Sequence, residues 1–105
     1  MNKFRLAMLQ TRCVANKEQN IQFISKALTE AGKGGANVSI LGEICNSPYV
    51  KQYFIEFAED FSNSPTLNAI KEQSVKYNMY TIGTIARKAA NQKLFNTAFV
   101  INPKG

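Results

Sequence analysis

Apolar positions recur along this chain with two different spacings, and each change of spacing marks the edge of a structural element. The compact apolar run in FRLAMLQ predicts a first strand over residues 4–10, followed by a loop over 11–15. The spacing then lengthens. Ile21, Ile24, Leu28 and Ala31 fall at helical intervals, so residues 17–31 are expected to form an amphipathic helix. Asn16 is a suitable N-cap, with Gln19 three residues on as its capping-box partner. Gly32, Gly34 and Gly35 are expected to end the helix. This glycine cluster is not a phosphate loop, because it follows a helix rather than a strand and lacks the GxxxxGK[ST] pattern.

Residues 38–41, Val-Ser-Ile-Leu, predict a short buried strand. Strand, helix and strand in this order form a βαβ unit, which implies a parallel pair in an α/β fold. Further on, Ser64-Pro65 opens a second helix, with serine as N-cap and proline in the first turn. Leu67, Ile70, Ser74 and Val75 carry its face to about Tyr77. Alternation predicts strands over 79–85 and 95–101, joined by a polar connection over 86–93, and residues 102–105 (NPKG) have the composition of a turn. A chain that stops in such a turn, beside an unpaired edge, is expected to continue into a further strand. Residues 1–105 are therefore expected to be the N-terminal portion of one domain.

One polar residue stands out against this frame. Glu43, within SILGEICNSPY, lies at the carboxyl end of the second predicted strand, where open α/β sheets bind ligands. A buried carboxylate is costly unless paired. Two possibilities follow: a structural pair with a cation such as Arg5, or a working carboxylate in a cleft. The segment after it, residues 46–60, is rich in aromatic residues: Tyr49, Tyr53, Phe54 and Phe57. Pro48 is placed to open a short helix there. Most of these rings are expected to pack beneath a loop, while Tyr49 is a candidate wall of a substrate pocket beside Glu43.

Composition narrows the chemistry. A net charge of +6 would suit nucleic acid, but the lysines and arginines are scattered and the one adjacent pair is Arg87-Lys88, so no nucleic-acid partner is expected. No apolar stretch approaches the roughly 20 residues of a membrane helix, and the apolar run near the start is too short for a secretion signal. A cytoplasmic protein without a membrane partner is expected. Histidine is absent, which excludes Cys/His zinc sites and histidine-activated nucleophiles within the chain. Cys13 and Cys45 are too far apart for a CxxC motif. Cys45, two residues from Glu43, is expected to be a small buried hydrophobe rather than a nucleophile. Lys51 is expected to be a solvated surface lysine.

In their order, FRLAMLQ, AGKGGANVSILGE, ICNSPY, KQYFIEFAED, MYTIGTIARK and LFNTAFVINPKG resemble the carbon-nitrogen hydrolase (nitrilase) superfamily, and within it the omega-amidase branch, whose loop after the glutamate similarly reads NSPY. The resemblance runs the length of the chain. It implies the N-terminal part of an αββα sandwich, a homodimer in the full-length protein, and a hydrolase of small-molecule amides that needs no metal or organic cofactor. It also implies a Glu-Lys-Cys catalytic set in which Glu43 is the general base. The family's lysine and nucleophilic cysteine come on later segments, so this chain alone is expected to be inactive. The family usually has proline where this chain has Gly42, whose freer backbone is expected to aim the carboxylate less rigidly. The alternatives are a non-catalytic α/β binding module on the same scaffold, or an amidase or ureidohydrolase from another branch.

Overall fold

The computed structural model describes residues 3–105. Its elements are β1 (Leu6–Met8), α1 (Lys17–Lys33), β2 (Val38–Ile40), α2 (Lys51–Phe57), α3 (Pro65–Lys76), β3 (Tyr80–Lys88) and β4 (Leu94–Ile101), with a single 3-10 turn at Phe61–Asn63. The four strands form one sheet in the order β1-β2-β3-β4; the first three are parallel and β4 is antiparallel to β3. The predicted βαβ unit is therefore present, and the chain is α/β with helices over one face of the sheet. This is the α and β pair of layers that make one half of an αββα sandwich.

Local signals account for most helix ends. The Asn16 side chain accepts from the Gln19 N–H at 3.0 Å, and Ser64 Oγ accepts from the Leu67 N–H at 3.1 Å. α2 departs from expectation: it starts at Lys51, with Val50 rather than a Ser-Pro pair before it, and the Pro48 carbonyl accepts from the Val50 N–H. The glycine cluster also behaves differently from its sequence signature. α1 continues through Lys33, so Gly32 lies inside its last turn, and a Cβ there would sit 2.1 Å from Tyr77 Cγ. Gly32 lets the end of α1 approach the end of α3; the helix is closed by Gly34 as C-cap and by Gly35 at φ +81°.

β3 and β4 run longer than the sequence suggested. Residues 86–88 read as polar, yet Ala86, Arg87 and Lys88 pair with Asn96, Phe95 and Leu94. Arg87 fits a strand because its guanidinium lies over the Phe95 ring, 5.1 Å from the centroid, as a cross-strand pair.

The core lies between the helices and the sheet. Ile24 and Leu28 of α1 meet Leu67 and Ile70 of α3, and Ile85, Phe99 and Ile101 rise from the sheet between them. Each such burial contributes about 1.5–3 kcal/mol. On the other face the register sets Leu6 beside Val38 and Tyr80, and Met8 beside Ile40, Ile82 and Val100. This face is apolar and open: Met8 is 81% exposed and Val100 65%.

Candidate active site

β3 is the backbone against which the site is built. Its long edge first pairs with β2, then accepts from the Leu41 N–H at Ile82, from the Cys45 N–H at Thr84 and from the Glu59 N–H at Ala86. Between Leu41 and Cys45 the chain advances four residues while β3 advances only two. The surplus must loop out, and Gly42, Glu43 and Ile44 form that loop. Ile44 takes a left-handed φ of +48°, a conformation costing on the order of 1–3 kcal/mol for such a residue. It is held there by its N–H donating to Thr84 Oγ1 at 2.6 Å and by the burial of its side chain.

Glu43 is consequently presented outward, at the carboxyl end of β2, beside a cleft of about 440 Å³ lined by Met8, Leu9, Gln10, Ile40, Leu41 and Gly42. It is exposed, and it is not paired with Arg5, whose guanidinium instead donates to the Gly34 carbonyl at the end of α1. Its partner is Tyr49, whose hydroxyl donates to Glu43 Oε1 at 2.6 Å. Because its proton is held by the carboxylate, and by the negative charge beside it, the Tyr49 hydroxyl is pushed above its ordinary range and stays a donor at neutral pH. The Tyr49 ring stands edge-on to Phe54 at 5.1 Å. It is one wall of an apolar depression of about 470 Å³ that also includes Ile44, Phe54, Ile55 and Phe95, with Lys51 exposed beside it. The structure thus brings Glu43 and Tyr49 together.

The aim of the carboxylate comes from the residues after it rather than from Gly42. Gly42 has no positive φ, and a Cβ there would meet nothing within 4 Å. Gly42→Ala is therefore expected to raise stability by about 0.4–1 kcal/mol through the unfolded state, read as a rise in the urea midpoint without a change in slope.

Neither cysteine is poised as a nucleophile. Cys45 is buried, and burial, with the Cys13 and Glu59 charges adding to it, pushes its thiol up to about 12. Cys13 is half-buried, donates to the Cys45 carbonyl at 3.4 Å and is also pushed up by burial. Iodoacetamide at pH 8 is expected to modify Cys45 about a thousandfold more slowly in the native than in the unfolded chain, as the thiolate fraction dictates.

The strongest polar cluster was not visible in the sequence. Glu59, 4% exposed, accepts from the Ser64 hydroxyl, from the Thr66 N–H at 3.0 Å, from the Thr66 hydroxyl at 2.6 Å and from Asn46 Nδ2 at 3.2 Å. Lys17 Nζ lies 3.2 Å from its Oε2. Burial pushes the Glu59 carboxyl up, but the hydrogen bonds from Ser64 and Thr66 and the Lys17 charge outweigh it and hold it below its ordinary value. The native state thus binds this proton less readily than the unfolded chain. The stability that Glu59 contributes is complete above the ordinary carboxylate range and is lost as pH falls through its lowered native value. Urea melts from pH 6 down to pH 2 are expected to show a steeper acid loss for the wild type than for Glu59→Gln.

A second buried amide extends the cluster. Asn20 of α1 accepts from the Val14 N–H and donates to the Val14 and Asn46 carbonyls, which fastens the loop after β1 to the loop after Glu43. Its signal was present in the sequence: Asn20, Ile24 and Leu28 share one helical stripe, and a polar residue on an apolar stripe needs partners.

A family model for carbon-nitrogen hydrolases matches residues 5–105. The chain belongs to the carbon-nitrogen hydrolase family. It is 37% identical to the omega-amidase of Bos taurus, over all of this chain and 38% of that protein. It is also 35% identical to a hydrolase of Schizosaccharomyces pombe, over 97% of this chain and 32% of that one. The chain spans about a third of the length of the curated relatives it matches. Among solved structures, Nit3 of Saccharomyces cerevisiae, a member of branch 10 of the nitrilase superfamily, superposes with a TM-score of 0.88 at 22% identity, over 97% of this chain and 41% of that one. An N-terminal amidase gives a TM-score of 0.80 at 20% identity, over 96% and 26%. These two share the fold. No helix among the described residues is long and apolar enough to cross a membrane.

Proposed function

We propose that residues 1–105 are the N-terminal portion of one amide-hydrolase domain, of the omega-amidase kind, with Glu43 as its general base and Tyr49 as a substrate-side residue. The observation that carries this reading is the placement of Glu43. A carboxylate raised out of the ladder at the end of a parallel strand, exposed beside a cleft, has one oxygen held by Tyr49 and the other free of protein hydrogen bonds among the described residues. Such a group can take a proton from a nucleophile and pass it on. The similarity to omega-amidases supports mono-amides of short dicarboxylates as the substrate class.

In this mechanism a cysteine thiol gives its proton to Glu43 as its sulfur attacks the amide carbon. Glu43 passes that proton to the departing nitrogen, the C–N bond breaks, and ammonia leaves a thioester. Glu43 then takes a proton from water as the water oxygen attacks the thioester, and the proton returns to the thiol as the acid leaves. The resemblance assigns the oxyanion-stabilising lysine and the nucleophile to segments following the turn at residues 102–105, and the burial of Cys45 agrees with a nucleophile from elsewhere. The full-length protein would assemble as a homodimer.

The test is ammonia release by the full-length protein from mono-amides of four- and five-carbon dicarboxylates, set beside nitriles and ureido acids. Turnover of the mono-amides by that protein, and none by the isolated 105-residue chain, is expected. Preference for a ureido acid would move the protein to another branch, and absence of all turnover would favour a binding module. Turnover by the short chain, lost in Glu43→Gln, would bring Cys45 back as the nucleophile.

A further inference from the structure

We infer that Glu59 is a positioning residue for the Glu43–Tyr49 pair, acting through Asn46. The inference rests on the amidase reading for its catalytic consequence, but its structural content is independent of it. The Tyr49 hydroxyl bond to Glu43 closes residues 43–49 into a ring. The two ends of that ring, Glu43 and Tyr49, are exposed, whereas Asn46 at its midpoint is 1% exposed. One side of the ring is fixed to β3 by the Ile44 and Cys45 N–H groups. Among the described residues the Tyr49 side makes no such bond to β3; it follows on from Asn46, with the Ser47 N–H donating back to the Ile44 carbonyl and the Tyr49 ring edge-on to Phe54.

What holds Asn46 is Glu59 and its surroundings. Asn46 Nδ2 donates to Glu59 Oε2 and, at 2.9 Å, to Thr66 Oγ1, and the Asn46 backbone carbonyl accepts from Asn20. Asn46 Oδ1 is buried without a partner among the described residues, so the amide is oriented by what its nitrogen finds on Glu59 and Thr66. Glu59 is in turn held at both its backbone and its carboxylate. Its N–H and carbonyl are bonded to Ala86 and Lys88 of β3, and its carboxylate gathers the N-terminus of α3 and Lys17 at the start of α1. Glu59 therefore ties three segments to β3: through its backbone it is part of that edge, and through its carboxylate it holds α1, α3 and the loop that carries Glu43 and Tyr49. Were Glu59 merely a cap for α3, the Ser64 and Thr66 bonds would suffice, and nothing would require Asn46 to reach it.

The test compares Glu59→Gln and Asn46→Ala in the full-length protein. The second variant leaves Glu59 satisfied by Ser64, Thr66 and Lys17 and removes only the link to the loop, so it remains informative where Glu59→Gln fails to fold. Assays are run at a temperature at which circular dichroism shows each variant folded. Positioning predicts a kcat lower by about 10–100-fold, because a displaced base loses transition-state contact, with a higher KM as Tyr49 leaves the substrate side. It also predicts that the Tyr49 phenol, followed by NMR of ring-labelled tyrosine, titrates nearer its ordinary value in both variants. Folded variants with wild-type kcat and an unmoved Tyr49 titration would overturn the inference. So would a loss of activity that tracks the melting temperature while Tyr49 stays shifted, which marks a purely structural role. A wild type without turnover would defeat the amidase reading instead, and the Tyr49 titration would then decide the positioning claim alone.

Discussion

Glu43→Gln in the full-length protein is expected to lower kcat for amide hydrolysis by about 10²–10⁴-fold, the range for removal of a general base. The substitution is close to isosteric, and the amide oxygen can still accept from the Tyr49 hydroxyl, so the ring of residues 43–49 keeps its closure. What is lost is the ability to take a proton. Glu43 is exposed and supports no helix cap, so stability should hold within the range of ordinary surface changes, about 0.5 kcal/mol. Steady-state kinetics and a thermal melt on the same preparation check both halves. Retention of more than a tenth of the wild-type kcat would remove Glu43 from the role of base. Loss of activity together with a large fall in stability would make it structural.

The second large effect is expected far from the cleft, at Gly32→Ala. The added Cβ would stand 2.1 Å from Cγ and 2.5 Å from Cδ2 of Tyr77, at the root of the ring rather than its far end. A ring cannot yield at its root without moving its own backbone, and Tyr77 closes α3. Alanine would favour the helix by propensity, about 1 kcal/mol over glycine, yet forcing α1 and α3 apart outweighs that gain. Overpacking of this kind costs about 1–3 kcal/mol or more. A lower urea midpoint is expected, and Gly32→Ala combined with Tyr77→Ala should cost less than the two single changes added together. Gly34→Ala is the control, since its Cβ would meet the Glu30 carbonyl at an ordinary 3.4 Å. A Gly32→Ala protein as stable as the wild type would mean that the two helix ends are not in close contact in solution.

The sequence disclosed what is encoded locally. The caps at Asn16 and Ser64 were legible because each side chain serves an N–H only three residues away. The βαβ unit was legible from spacing, and with it the position of Glu43 at a strand end. Boundaries suffered where a long-range partner overrode local character. Arg87 and Lys88 read as loop until a partner strand with Phe95 was in place, and Gly32 read as a stop signal although its meaning is set by Tyr77, forty-five residues on. The buried cluster was the least legible feature. Glu59 draws partners from Lys17, Asn46, Ser64 and Thr66, at separations that follow neither a helical nor a strand period. Around Glu43 the nearness of Tyr49 was legible but the exposure was not: two surplus residues opposite Gly83 push the carboxylate into the open.

That loop also sets an order in time. Glu43 is shaped by Thr84, a residue translated forty-one positions later, through bonds to the Ile44 and Cys45 N–H groups. Chain elongation at about 5–20 residues per second separates the two by roughly 2–8 s. During that interval α1 can coil and β1 and β2 can pair, but nothing holds Ile44 in its left-handed state. The carboxylate acquires its direction only when β3 arrives, so the nascent chain carries Glu43 in an unformed loop until the strand that fixes it has left the ribosome.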